Sequence, residues 1–348
     1  MSNLAYHKPV GVIGAGSFGT AIANLLAYNV DVLLFSRKEE LVTKVNQTHQ
    51  HFGINLSKRI KATTSLEEIA KACDILFPMV PSANFKAMMQ QLGPHLRPFH
   101  IVIHGTKGLD FPDLDTIQSQ GLDRSQVKTM SELIREESVV VRVGCLSGPN
   151  LAKEIMEGQP TATVIASHFK EVVEVGKHVL GSEHFHVFGT ADLLGAELAG
   201  ALKNIIAIGS GILRGKGLGK NIQAVLITRG LHEMINFGKM LGADSIAFLG
   251  TAGIGDLVAT ATSKNSRNFT FGYRLGQGES FETIQDSMSE LAEGVRTLKV
   301  VHKLAQKYKL RVPITNALHR IVYEEFDIDK SLNYLMTYPY DVDVDFSI

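Results

Sequence analysis

The sequence predicts an α/β amino-terminal domain with a mainly parallel sheet, followed by an all-α carboxy-terminal domain. In the first half, short apolar runs alternate with amphipathic segments, which is the pattern of βαβ units. After about residue 190, segments with a 3.6-residue hydrophobic period replace them. A chain of 348 residues has the length of two domains, and we place them at 1–190 and 191–348.

The strands of the first half are indicated by runs of aliphatic and β-branched residues. These runs cover residues 10–16, 30–36, 74–82, 99–108, 138–150 and 160–167. Helical spacing over 19–29 and 65–73 supplies helices between strands. Pro78 and Pro81 shorten the third strand, because proline cannot donate to a sheet.

The second half carries helical periodicity in most of its length. The predicted helices cover residues 191–213, 221–241, 244–249, 283–308 and 314–325. The acidic tail "YPYDVDVDFSI" is irregular, and we predict no structure for it.

The composition excludes several classes of protein. Lys+Arg and Asp+Glu both number 35, so no net charge favours nucleic acid or acidic membranes. Cys73 and Cys145 form neither a disulfide framework nor a metal-binding cluster, and they fit a reducing compartment. Signal-peptide features and an uncharged apolar run of about 18 residues are missing. We expect a cytoplasmic protein with no metal site and no stable membrane insertion.

The first predicted strand runs into the glycine-rich turn "GAGSFG". Gly14, Gly16 and Gly19 have the G-x-G-x-x-G spacing, which is a weak signal in a chain with 32 glycines. The preceding strand and the following helix strengthen it. Gly14 then permits the tight turn, Gly16 lets a pyrophosphate approach the backbone, and Gly19 lets the helix pack on the strand. We predict a Rossmann-type dinucleotide site, with an ordinary glycine turn as the alternative.

The end of the second strand bears on the choice of cofactor. An NAD site usually has Asp or Glu there to bind the ribose 2′-hydroxyl. Here the strand ends in Ser36, Arg37 and Lys38, and Asp31 lies at its start. Because two cations suit a 2′-phosphate, NADP(H) is favoured and NAD(H) is possible. The alternative is a solvated basic turn.

Five polar residues stand in glycine-rich or turn-like settings. They are Lys107 in "HGTKGL", Asn150 in "LSGPNLAKE", Asp256 in "AGIGDLVAT", Arg267 in "NSRN" and Glu293 in "LAEGVRT". Strand ends of a parallel sheet bind ligands, and an arginine suits bidentate phosphate binding. Each residue also has a structural alternative, as a surface charge, a helix cap or part of a solvated helix face.

Lys203 interrupts the apolar helix "LAGALKNIIAIGSG". By helical spacing it shares a face with small residues, namely Ala196, Ala199, Gly200, Ala207 and Ser210. Such a stripe allows either a helix or a ligand to approach closely. A structural lysine could instead extend its stem to solvent.

These motifs together resemble one family. "GAGSFGTAIA", "TKGL", "SGPNLAKE", "ELAGALKNIIAIGSGI", "LITRGLHEM", "GTAGIGDLVATATSKNSRN" and "AEGVRT" look like the bacterial-type NAD(P)-dependent glycerol-3-phosphate dehydrogenase, in that family's order. The resemblance implies interconversion of sn-glycerol 3-phosphate and dihydroxyacetone phosphate. It also implies supply of glycerol 3-phosphate for phospholipid synthesis, and a homodimer.

The resemblance assigns roles residue by residue. Lys203 would be the catalytic acid/base. The residues expected at the substrate are Lys107, Gly148, Asn150, Lys203, Asp256, Ser266, Arg267 and Asn268. The residues expected at the cofactor are Gly14, Gly16, Ser17, Phe18, Gly19, Arg37, Lys38, Lys107, Ala152, Arg267, Leu291 and Glu293. Asn204 is a further candidate for substrate contact.

Some positions depart from the family's pattern. Asn150 stands where Ser or Thr is common, His104 is unusual before "GTKG", and Arg214 and Lys220 stand where acidic residues are common. Two other functions stay open at this point. One is a dehydrogenase for another hydroxy acid or sugar phosphate, and the other is a nucleotide-binding sensor without catalysis.

Overall fold

The computed structural model describes residues 8–114, 122–288 and 292–339. The chain forms two compact units. The first comprises the described residues of 1–110 and 129–197, and the second those of 111–128 and 198–348. The division into independently folding domains at 1–190 and 191–348 stays a prediction.

The first unit has an α/β fold, in which β-strands alternate with helices along the chain. Its strands are β1 (Val10–Ile13), β2 (Val32–Phe35), β3 (Gln50–His51), β4 (Ile54–Asn55), β5 (Ile60–Thr63), β6 (Ile75–Pro78), β7 (Ile101–His104), β8 (Arg142–Ser147), β9 (Thr161–Ala166) and β10 (Phe185–Thr190). Its helices are α1 (Ser17–Leu26), α2 (Glu39–Thr48), α3 (Leu66–Ala72), α4 (Ser82–Leu92), α5 (Met130–Glu136), α6 (Ala152–Met156) and α7 (Lys170–Leu180).

The main sheet is mostly parallel, as the sequence predicts. In the described chain it has eight strands in the order β10-β9-β8-β7-β6-β1-β2-β5, and β3 and β4 form a separate antiparallel hairpin. Pairing is parallel throughout the main sheet except between β8 and β9. β1 therefore lies centrally, so that the turn after it opens at the carboxyl edge of the parallel strands.

Both faces of the sheet are covered, which explains the continuous apolar runs. In β1, Val10 and Val12 belong to a core that also contains buried residues of α1 and α7. Ile13 faces the opposite core, with buried residues of α3, α4 and α5. Successive side chains of a strand point to opposite faces, so a strand buried on both sides must be apolar at every position.

The second half of the chain is helical. Its helices are α8 (Leu193–Gly215), α9 (Lys220–Met240), α10 (Ile246–Leu249), α11 (Asp256–Thr262), α12 (Arg267–Gly276), α13 (Phe281–Ser287), α14 (Glu293–Lys307), α15 (Pro313–Tyr323) and α16 (Ile328–Met336). A π-helix, Thr251–Gly255, precedes α11.

Glycines let α8 and α12 approach each other closely. A Cβ added to Gly211 would lie 2.1 Å from the Phe269 carbonyl oxygen, and one added to Gly272 would lie 2.0 Å from that of Ile208. Ser210 donates a hydrogen bond to the Ala261 carbonyl of α11 at 2.5 Å. Helix packing therefore accounts for Ser210, the last residue of the small-residue stripe.

Several elements differ from the sequence predictions. The sequence predicts a turn at "NSRN", and it predicts no element for most residues of α2, β3, β4, β5, α4, α5, α6, α7, β10, α11, α12 and α16. Ser266 in fact caps α12 by accepting a hydrogen bond from Phe269 N–H at 3.3 Å. The helix predicted over 283–308 is represented by α13 and α14, with residues 289–291 outside the described part.

One helix among the described residues is long and apolar enough to cross a membrane. This helix is α8, whose most apolar window has a mean hydropathy of 1.3 and is completely buried within the protein. It also carries Lys203 in its middle. These are the properties of a core helix.

Candidate active site

The turn after β1 has the geometry that a dinucleotide loop requires. Gly14 adopts a φ of +115°, a conformation that residues with a Cβ rarely take. A Cβ on Gly19 would lie 1.8 Å from the Gly14 carbonyl oxygen, whereas one on Gly16 would meet no described atom within 4 Å. The three glycines therefore have three different reasons to be glycine: the turn, the close packing and the open approach.

Helix α1 starts directly at this open point. Gly16 is its N-cap residue and offers no side chain, so the first backbone N–H groups remain available at the helix terminus. Ser17 is exposed and Phe18 half-buried, beside the turn. Such a terminus binds phosphate through its N–H groups and its dipole.

The end of β2 presents two cations to solvent. Ser36 is buried and its hydroxyl accepts a hydrogen bond from the Lys38 N–H at 3.2 Å, which shapes the turn. Arg37 and Lys38 are exposed directly after it. Asp31, at the other end of the strand, pairs with Arg59 at 2.8 Å. The two basic side chains are thus the first charged groups after β2, and exposed Glu39 and Glu40 follow them in the first turn of α2.

Lys107 and Gly148 meet beyond the ends of two neighbouring strands. β7 and β8 are paired in parallel, so the loops that follow them lie side by side. The Lys107 ammonium donates a hydrogen bond to the Gly148 carbonyl oxygen at 2.8 Å. Gly148 has a φ of +132°, which explains a glycine at this position. The structure thus brings together two residues that the family resemblance places at the substrate.

Asn150 follows β8, as Gly148 does, and its side-chain oxygen has no hydrogen-bond donor among the described residues. Its Nδ2 donates to the Thr163 hydroxyl at 2.8 Å. Its Oδ1 is buried and has no hydrogen-bond partner among the described residues. A buried acceptor without a donor is costly, so this atom is suited to a ligand hydroxyl. Ala152, half-buried, begins α6 two residues later.

In the second unit, Lys203 is the centre of a buried polar cluster. Lys203 and Asp256 are only 4% and 1% exposed. The lysine ammonium donates hydrogen bonds to Asp256 Oδ1 and, at 2.6 Å, to the Thr260 hydroxyl. Thr260 donates in turn to Asp256 Oδ1 at 3.3 Å. The alternative in which the lysine extends to solvent is therefore wrong.

Local chain geometry explains how α11 contributes to this cluster. Asp256 and Thr260 are four residues apart and lie on one face of α11. The π-helix Thr251–Gly255 leads into Asp256 at the first position of α11, and such wide turns occur frequently at functional sites. Thr260 is not among the residues predicted from the sequence, although its spacing of four from Asp256 places both on one helix face.

Asn204 and Asn268 form a second buried group. Asn268 donates from Nδ2 to Asn204 Oδ1 at 2.9 Å and accepts at Oδ1 from Gly294 N–H at 2.8 Å. These bonds hold the start of α14 to α8 and α12. Glu293, the first residue of α14, is half-buried beside them. Leu291, also expected at the cofactor, lies outside the described residues.

Arg267 occupies a favourable position for an anion. It is the first residue of α12 and is exposed, directly after the buried cap Ser266. A helix N-terminus and a guanidinium both attract phosphate. Elsewhere, Arg214 donates to the Leu218 carbonyl at 2.8 Å and Lys220 to Gln223 at 3.0 Å, so these two residues bond within their own loop and helix start.

Fold and site together define a class of protein. A mainly parallel sheet opening on a glycine-rich turn is the framework that binds dinucleotides, and a buried lysine is a suitable acid/base for chemistry at an alcohol carbon. Similarity to dehydrogenase family models assigns the chain to one such class, because it shows an oxidoreductase that uses a nicotinamide dinucleotide. Residues 9–173 and 192–333 match the family models described as NAD-dependent glycerol-3-phosphate dehydrogenase N-terminus and C-terminus. The chain belongs to the glycerol-3-phosphate dehydrogenase family.

Relatives of known name agree with this assignment. The chain is 38% identical to a glycerol-3-phosphate dehydrogenase (NAD(P)+) of Saccharophagus degradans, with 99% of this chain and 94% of the relative covered. It is 39% identical to that of Acinetobacter baylyi, with 90% and 86% covered. The crystal structure of glycerol-3-phosphate dehydrogenase from Coxiella burnetii is similar with a TM-score of 0.84, at 31% identity, covering 95% of this chain and 99% of that one. The resemblance and the fold class inferred from the sequence are confirmed.

Proposed function

We propose that the protein interconverts sn-glycerol 3-phosphate and dihydroxyacetone phosphate, with NADP(H) as the favoured cofactor. The observation that carries this proposal is the buried Lys203 ammonium, held by Asp256 and Thr260. Burying a charge is costly unless it is paired, so a paired lysine in an apolar helix requires a reason. Proton transfer at the substrate oxygen provides that reason.

Lys203 is assigned the role of acid/base. A bound nicotinamide cofactor supplies or accepts the hydride at C2 of the substrate. During reduction, the Lys203 ammonium stabilises the negative charge that develops on the carbonyl oxygen and donates its proton there. During oxidation, the neutral amine accepts the hydroxyl proton. Asp256 and Thr260 orient the Lys203 Nζ through their hydrogen bonds.

The first unit supports binding of the cofactor. The open backbone at Gly16 and the free helix terminus at Ser17 and Phe18 fit a pyrophosphate. Arg37 and Lys38 would hold a ribose 2′-phosphate, which is the basis for preferring NADP(H) over NAD(H). The remaining proposed cofactor residues are Gly14, Gly19, Lys107, Ala152, Arg267, Leu291 and Glu293.

The substrate phosphate is assigned to Arg267 at the start of α12. The phosphate does not itself react, so binding it fixes the orientation of C2, and this binding energy contributes to the reaction. Lys107 offers a cation to the rest of the substrate, and Asn150 offers an acceptor that has no hydrogen-bond partner among the described residues. Gly148, Asp256, Ser266 and Asn268 complete the proposed set. We further propose a cytoplasmic homodimer that supplies glycerol 3-phosphate for phospholipid synthesis.

The absorbance at 340 nm tests the function and the cofactor together. With dihydroxyacetone phosphate, we expect NADPH to be consumed with a higher kcat/KM than NADH, and ketones without phosphate to react poorly. The double variant Arg37→Ala, Lys38→Ala should lower the preference for NADPH by at least about tenfold, since each charged hydrogen bond contributes about 1.5–3 kcal/mol. A strong preference of the wild type for NADH would refute the cofactor assignment, and faster reduction of an unphosphorylated ketone would refute the substrate.

A further inference from the structure

The hairpin formed by β3 and β4 reaches the glycine-rich turn through one side chain. The Nε2 atom of His51 lies 2.9 Å from the carbonyl oxygen of Ala15, the residue between Gly14 and Gly16. A carbonyl oxygen can only accept a hydrogen bond, so Nε2 must carry the hydrogen. His51 therefore acts as a donor to the backbone of this turn.

The hairpin holds His51 in a defined position. His51 pairs with Ile54 across the hairpin. Leu56, the residue after β4, is buried, and its N–H donates a hydrogen bond to the His49 carbonyl oxygen at 2.7 Å. Ile54 packs against the same core as Ala15. Phe52 and Gly53 connect the two strands with φ of +49° and +74°, the pair of positive values that a two-residue type I′ hairpin turn requires.

The bond to Ala15 also sets the direction of the next N–H group. The carbonyl of Ala15 and the N–H of Gly16 belong to one peptide unit, and in a planar trans peptide they point in opposite directions. With the oxygen directed to His51, the Gly16 N–H points away from the hairpin. Rotation of this peptide would turn a carbonyl oxygen, rather than a donor, toward an approaching anion.

We propose that His51 is a positioning residue for cofactor binding, which orients the Ala15–Gly16 peptide so that its N–H is presented to the pyrophosphate. The inference rests on the proposed cofactor site at Gly14, Gly16 and Gly19. His51 acts through the backbone, and the N–H donor at Nε2 is the property that matters.

Direct titration with NADPH, followed by nucleotide fluorescence, tests this role without catalysis. Gln and Met have nearly equal lengths, but only Gln can donate to the Ala15 carbonyl. We expect His51→Met to weaken the Kd for NADPH by about threefold to tenfold and His51→Gln to remain near the wild type, because one oriented hydrogen bond is at stake. His186→Leu is the matched control, since His186 is an exposed strand histidine in contact with Phe188 on β10.

The kinetic result should separate binding of the two substrates. In His51→Met, the KM for NADPH should rise while the KM for dihydroxyacetone phosphate stays unchanged. Equal Kd values for His51→Met and the wild type would overturn the inference, as would equal losses in the Met and Gln variants. If circular dichroism shows His51→Met to be unfolded, His51→Asn replaces it, because its amide is one methylene too short. A wild type that does not bind NADPH would refute the proposed cofactor site itself.

Discussion

Lys203 shows how the surroundings of one residue decide between two interpretations of a sequence. A lysine in an apolar helix can either extend to water or stay inside with partners. Its 4% exposure and its bonds to Asp256 and Thr260 establish the second case. The sequence offered the small residues around it as a hint, but the partners come from α11, more than fifty positions later in the chain.

Replacing the lysine tests its chemical role. Lys203→Ala removes the proposed proton donor, and we expect kcat to fall at least about a hundredfold, the usual scale of acid/base catalysis. Lys216→Ala is the control, because Lys216 follows the same helix and pairs with exposed Asp329 at 2.9 Å. A folded Lys203→Ala enzyme with wild-type kcat would remove the lysine from the mechanism.

Two buried glutamates illustrate how hydrogen-bond partners set a pKa. Burial by itself raises the pKa of Glu197, but hydrogen bonds from His104 and Ser131 outweigh it and hold the pKa below its ordinary value. Glu233 is also buried, and its partners among the described residues are the Ile314 and Thr315 N–H groups and the Thr315 hydroxyl. There burial dominates and raises the pKa to about 7. His104, unusual for the family, thus has a partner in Glu197 at 2.9 Å.

At the scale of elements, Glu233 caps a helix from outside. Its carboxylate accepts hydrogen bonds from Ile314 and Thr315 N–H at 2.6 and 3.0 Å, at the start of α15. Pro313 has no N–H to satisfy. The first turn of α15 is therefore completed by a residue of α9 rather than by its own N-cap side chain.

The raised pKa of Glu233 predicts a pH-dependent stability. The folded pKa is about 7 and the ordinary value is 4.5, so folding favours the protonated form. Protonated Glu233 therefore stabilises the folded state fully below pH 4.5, and this contribution is lost as the pH rises through 7. The loss amounts to about 3 kcal/mol of the free energy of unfolding. This loss is measured from the thermal unfolding midpoints of wild type and Glu233→Gln at pH 5 and pH 8.

The informative quantity is the difference in unfolding midpoint between wild type and Glu233→Gln, and how this difference changes from pH 5 to pH 8. Gln cannot ionise, so the wild-type midpoint should fall relative to Glu233→Gln between pH 5 and pH 8. Glu282→Gln, at an exposed position of α13, controls for general charge effects. A difference that is the same at both pH values would show that Glu233 does not titrate in this range.

The contact of α8 with α12 is a second prediction at this scale. Gly272→Ala places a Cβ about 2 Å from the Ile208 carbonyl oxygen, so the helices must move apart. We expect a cost of about 1–3 kcal/mol, as for other overpacked cores, seen as a lower unfolding midpoint. Gly219→Ala is the control, because a Cβ there meets no described atom within 4 Å. Equal midpoints for the two variants would contradict the close approach.

At the scale of the whole molecule, one segment belongs to the second unit although the residues on both sides of it in the sequence belong to the first. The described residues of 111–128 belong to the second unit, with Asp123 paired to Lys307 at 2.9 Å and the Leu114 carbonyl accepting from Lys303 at 2.8 Å. These partners lie nearly two hundred positions away in the chain. Hydrophobic periodicity depends only on residues close together in the sequence, so it does not indicate that residues 111–128 belong to the second unit.

The predicted oligomeric state is a homodimer. The family resemblance implies a homodimer, so sedimentation equilibrium should give twice the 38.0 kDa of one chain. The equal numbers of acidic and basic residues leave no net repulsion between copies at pH 7. A mass of one chain at micromolar concentration would refute the dimer.

The sequence by itself determined the fold class, the glycine-rich turn and the family. These depend on hydrophobic period, on local turn chemistry and on motifs with fixed spacing, all of which are written in neighbouring residues. The tertiary structure alone decided that Lys203 is buried and paired, that Thr260 joins it, that Ser266 begins a helix, and that His51 reaches the glycine-rich turn. Each of these depends on contacts between distant segments or on a choice between turn and helix that packing makes.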